Sequence, residues 1–153
     1  MDKVSVSKPL GHGDDSATDF VIEMLKGEPT FAINFDRVQW DSKNNCYVIV
    51  EYLLCDESQF SKGVTPHTSH PNRYFHKNAQ KFISLWQITK DMKAMLFLVN
   101  YSKKGTQFED QVLVMKVEDV NPQASAPVKT IDKKCTREEY STWFRNLNKR
   151  GKR

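Results

Sequence analysis

A chain of 153 residues has the length of one domain and can bury a core without disulfide or metal support. Its 39% apolar and 27% charged content exclude a disordered or fibrous class. The net charge of +4 is unevenly spread: residues 128–153 carry nine Lys/Arg against three Asp/Glu, so the rest is net acidic. A basic C-terminus of this kind suits contact with nucleic-acid phosphates, or is simply a solvated tail. No apolar run approaches a membrane span and no signal-peptide pattern is present, so a soluble, cytoplasmic protein with no membrane partner is expected. Cys46, Cys55 and Cys135 are odd in number and form no CxxC pair, which points away from a disulfide framework or a zinc site.

Residues 1–13 read as a flexible lead-in. Asp14-Asp15-Ser16 offers N-caps for a helix on which Phe20, Met24 and Leu25 share a side, and Gly27 with Pro29 ends it. Thr30 to Trp40 alternates as a strand, Asp41 to Asn45 is a turn, and Cys46 to Cys55 is an apolar strand buried on both faces. Residues 56–73 are an irregular polar loop. From Tyr74 to Asp91 the period becomes helical, with Phe75, Ala79, Phe82, Ile83 and Trp86 on one stripe. Met95 to Tyr101 is a second apolar strand, Gln111 to Val117 a further strand, and 119–130 a loop. Thr136 and Glu139 are spaced as a capping box that opens a last helix, with Tyr140, Trp143, Phe144 and Leu147 on its apolar face.

The predicted order is α-β-β-α-β-β-α. This is an α/β (α+β) chain with one domain over residues 14–148, a central mixed four-stranded sheet flanked by helices, and a basic tail at 149–153. The helical connection between the two apolar strands is long enough for a right-handed parallel crossover.

Glu51 is the anomaly, an acid in a strand whose other positions are apolar or aromatic. An unpaired carboxylate buried there costs several kcal/mol, so a cation, a metal or a place near the sheet's end must compensate it. Folding residues 30–55 about the turn brings Asp36 opposite Glu51. Like charges so opposed are destabilising, and a divalent cation between them explains the arrangement. Mg²⁺ and Mn²⁺ prefer such oxygen ligands.

A helix, a hairpin carrying Asp36 and then Glu51, a helix and another apolar strand resemble the PD-(D/E)XK nuclease superfamily over roughly residues 14–101. The resemblance implies a Mg²⁺- or Mn²⁺-dependent nuclease that hydrolyses phosphodiester bonds, with Asp36 and Glu51 as metal-binding and catalytic acids. Two positions depart from the pattern: Phe35 stands where the family has Pro, and Leu53 where it has Lys. Some members take this positive charge from the following helix, which implies Lys81, with Lys77 second. Lys133, Lys134, Arg145, Lys149 and Arg150 would then contact the nucleic-acid backbone, DNA before RNA. The alternative is an inactive α/β module, such as a phage or mobile-element accessory factor, that binds nucleic acid or a protein partner.

Each feature has a plainer reading. Glu51 could make a structural salt bridge to Lys81 or Arg37, Asp36 could face solvent, and Lys77 and Lys81 could be a solvated helix face. Asp41 suits turn chemistry better than a ligand role. His67, His70 and His76 fit no zinc spacing, and nothing places partners for Cys55 as a nucleophile. Tyr140, Trp143 and Phe144 could stack on bases, although their spacing beside Leu147 suits core packing better.

Overall fold

The computed structural model describes residues 16–153, so the expectations for the lead-in at 1–13 and for Asp14 and Asp15 lie outside the described residues. The chain divides into two units, one ending at Ala32 and the other running Ile33–Arg153. The first contains α1 (Ser16–Leu25), which stops where Lys26 and Gly27 take positive φ.

The second unit is a five-stranded sheet with a helix on each face. Its elements are β1 (Arg37–Asp41), β2 (Cys46–Leu54), α2 (Ala79–Asp91), β3 (Met95–Tyr101), β4 (Val112–Val120), β5 (Val128–Cys135) and α3 (Arg137–Lys149). The strands lie in the order β1-β2-β3-β4-β5. β2 and β3 are parallel and joined through α2, and the other pairs are antiparallel. A helical crossover between parallel strands is therefore present, and the mixed α+β class holds.

The pleat sends alternate β2 residues to opposite faces. Ile49 and Leu53 pack with Phe82 and Leu85 of α2. Val48 and Val50 pack with Leu147 of α3. Phe82 and Leu85 are almost wholly buried, and side chains of that size contribute roughly 1.5–3 kcal/mol each when removed from water. The α3 capping box forms as its sequence predicts: the Thr136 hydroxyl accepts from the Glu139 N–H, and the Glu139 carboxylate accepts from the Thr136 N–H.

Four boundaries differ from the sequence expectation. The sheet has five strands rather than four, because residues 128–135, for which the sequence predicts loop over 128–130 and no element over 131–135, pair with β4. β5 is an edge strand with only Val128 and Cys135 buried, and its lysines hide the strand signal while discouraging edge-to-edge association. β1 starts at Arg37 instead of Thr30. α2 starts at Ala79 instead of Tyr74, preceded by short 3-10 turns at Pro71–Arg73 and Phe75–Lys77. β4 continues past Val117 to Val120 through a bulge.

The segment 56–73, expected as an irregular loop, carries a 3-10 helix at Glu57–Lys62 and is tied down. The buried Asn100 amide of β3 donates to the carbonyls of Pro66 and Ser69. Asn72 exchanges two hydrogen bonds with the Val128 backbone. His67 and His70 reach the Cys135 carbonyl and the Thr130 hydroxyl. Those two histidines therefore fasten the loop to β5, and burial lowers the His70 pKa.

Candidate active site

In open sheets with parallel strands, ligand sites form beyond the strands' carboxyl ends. Here that edge gathers the end of β2, the end of β3, the chain entering β1 and the first turn of α2. Glu51, Asp36 and Lys81 all stand there.

The hairpin register pairs Arg37 with Val50, which places Asp36 beside Glu51 as the sequence arithmetic expects. Regular pairing stops at that point and side chains take over. The Asp36 carboxylate accepts the Tyr52 N–H at 2.8 Å, and a Glu51 oxygen accepts the Asp36 N–H at 3.4 Å. Two acids thus share one backbone junction. Asp36 is exposed, whereas Glu51 is only 5% exposed.

The other Glu51 oxygen lies 3.0 Å from Lys81 Nζ. α2 carries Lys81 in its first turn, because Phe82 and Leu85 turn inward and leave residue 81 at the edge of the packed face. Lys77 is exposed in the turn before α2 and makes no such pair among the described residues. Leu53, two residues after Glu51, is buried against the α2 face, so a lysine there would meet core rather than solvent.

An ionised carboxylate offers about four lone-pair positions. Among the described residues Glu51 has one strong and one long contact, fewer than a buried acid can take. Mg²⁺ is commonly held by one or two carboxylates plus water, so Asp36 and Glu51 fit it in number and chemistry. No group of three or more His, Cys, Asp or Glu able to share a metal occurs among the described residues.

The chain matches no family model, no curated protein and no solved structure. What can be said of its site comes from its own geometry.

The same edge opens on the α3 face into a cleft of about 860 Å³. Asp36 stands on its wall with Tyr52, Tyr101, Arg137, Tyr140 and Phe144. The Tyr52 and Tyr140 hydroxyls are 2.6 Å apart, and burial raises both pKa values. Composition and periodicity do not mark this cleft, although the sequence offers its helix aromatics Tyr140 and Phe144 as base-stacking groups.

The basic residues do not act as one set. Lys133 and Lys134 are exposed neighbours on β5, so they point to opposite sides of the sheet. Arg145 lies 3.7 Å from Glu138 on exposed α3, and Lys149 is exposed. Arg150 is engaged elsewhere: its Nε donates to the fully buried Asp41 at 2.8 Å. Arg153 stacks on Trp40 at 4.0 Å, so this part of the basic terminus packs on the hairpin.

Proposed function

We propose that the chain is a metal-dependent nuclease-like domain that hydrolyses phosphodiester bonds in nucleic acid, DNA before RNA. The observation that carries this reading is the approach of Lys81 to Glu51 beside Asp36. Two acids and a lysine, spread over 45 positions of sequence, meet at the carboxyl edge of the sheet. The topology of hairpin, crossover helix and parallel strand is in keeping with the resemblance to PD-(D/E)XK nucleases. Lys81 supplies from the helix the charge that Leu53 does not.

Asp36 and Glu51 would hold Mg²⁺ or Mn²⁺, whose chemistry is to activate water and to stabilise the charge of a phosphoryl transition state. The Tyr52 N–H fixes the Asp36 carboxylate, and the Asp36 N–H restrains Glu51. Lys81 would orient the attacking water or neutralise charge developing on the phosphate. Exposed Lys133, Lys134 and Lys149 remain candidates for the nucleic-acid backbone.

Plasmid DNA incubated with Mg²⁺ should be cut by the native chain. Glu51→Gln should lower the rate on the order of 10³-fold, the scale at which one well-placed electrostatic group acts. Undiminished cutting by the Asp36→Ala, Glu51→Gln double variant would end this reading.

A second reading, a non-catalytic binding module for nucleic acid or a protein partner, is favoured by the buried Leu53. Salt-sensitive DNA binding without cleavage in any divalent ion would select it.

A further inference from the structure

We infer that the cleft between α3 and the carboxyl ends of β2 and β3 receives an unpaired nucleobase, so that the preferred substrate presents a single-stranded or extruded nucleotide beside Asp36. The inference rests on the reading that this chain acts on nucleic acid, and it concerns which form of nucleic acid.

The walls of the cleft are aromatic and mutually braced. Tyr140 and Phe144 lie nearly parallel with centroids 5.9 Å apart, and Tyr52 meets Tyr101 edge-on at 6.1 Å. The hydroxyl pair of Tyr52 and Tyr140 fixes the two walls against each other. These rings are half-buried, and what they leave open to the cleft can stack a flat heterocycle without regard to sequence. Bases inside a duplex expose only their edges, so such a stack requires a base already out of its helix.

Asp36 puts a carboxylate on the cleft wall, which suits the N–H donors of a base edge, and Glu138, largely exposed and paired with Arg145, lines it too. Positive charge enters from the side. Arg37 lies 5.0 Å from the Phe144 ring centre, and among the described residues its buried Nε–H has no hydrogen-bond partner. Arg137 is anchored by donating to the Ser102 and Glu109 carbonyls, which holds its guanidinium on the wall. The volume falls in the range of clefts that enclose small ligands, with room for a base and its sugar. Asp36 belongs to both features, so a base seated here leaves its own phosphodiester near Asp36.

The test is fluorescence anisotropy in EDTA with a labelled oligo(dT) strand and a blunt duplex of matched length, which removes cutting from the readout. The native chain should hold the strand more tightly than the duplex. Ser141→Trp, which fills the cleft from α3 without removing core, should weaken strand binding about tenfold or more, the loss of one base stack, with an unchanged melting temperature. Phe144→Leu, which keeps bulk but not the ring, should weaken it in the same direction. Equal affinity for strand and duplex, strand binding unaltered in both variants, or binding of neither probe overturns the inference. Equal affinity alongside Mg²⁺-dependent cutting that Glu51→Gln abolishes overturns the cleft alone and leaves the nuclease reading in place.

Discussion

The β1–β2 hairpin carries a buried acid near each end, and the two are treated differently. At the turn end, Asp41 is fully shielded and saturated. It accepts from the Lys43 N–H, the Asn44 amide and two nitrogens of Arg150, at 2.7 to 3.4 Å. At the open end, Glu51 meets one half-exposed lysine and one long backbone N–H. A carboxylate whose positions are all filled is a structural fastening. One buried with capacity to spare, beside a second acid and at an accessible edge, is suited to take a ligand. Burial alone does not separate the two cases; the count and quality of partners does.

The largest test of this contrast is Arg150→Ala. It would leave the Asp41 charge buried and short of its main partner, and a loss of about 3–5 kcal/mol is expected from urea denaturation at constant m-value. A loss below about 1 kcal/mol would remove Asp41 from the structural class.

Acid titration probes the same end. The Arg150 guanidinium beside Asp41 holds its carboxyl down at about 2, against an ordinary value of 3.8. A depressed folded-state pKa stabilises the fold above the unfolded value and loses that contribution as pH falls through the folded one. About 2–3 kcal/mol should therefore disappear between pH 4 and 2. The stability gap between the native chain and Asp41→Asn should narrow across that window. A gap that stays constant with pH would show that the pair is not coupled to the fold.

The smallest effect belongs to the open end. Lys81→Met should cost about 1–2 kcal/mol, since the lysine is half exposed and screened while buried Glu51 keeps only the Asp36 N–H among the described residues. Mg²⁺ should then restore stability by about 1–3 kcal/mol once it exceeds its dissociation constant ten- to hundredfold. Scanning calorimetry with and without the ion reads this directly. Equal Mg²⁺ stabilisation of Lys81→Met and Glu51→Gln would place the ion elsewhere.

Both ends of the hairpin were partly legible in the chain. Asp41-Ser42-Lys43-Asn44-Asn45 spells a turn, and Asn45 adopts the left-handed φ of 52° that Asn tolerates. What could not be read was the partner of Asp41, because Arg150 lies 109 positions away in a segment that composition marks only as basic. The neighbourhood of Asp36 and Glu51 followed from counting across a short hairpin, where register is local. The approach of Lys81 depended on how the crossover helix rotates over the sheet, which the inward packing of Phe82 and Leu85 decides.

By itself, the sequence determined the apolar strands, the amphipathic helices, the capping box of α3 and the isolation of one acid in β2. These are properties of neighbours in the chain: periodicity, propensity and turn chemistry act over a few residues. Tertiary structure alone decided that residues 128–135 form a fifth strand, because an edge strand rich in lysine gains its order from β4. It also decided that Arg150 is a core partner and that Tyr52, Tyr101, Tyr140 and Phe144 wall one cleft. These features depend on long-range pairing and on which faces meet, and no local pattern of residues encodes them.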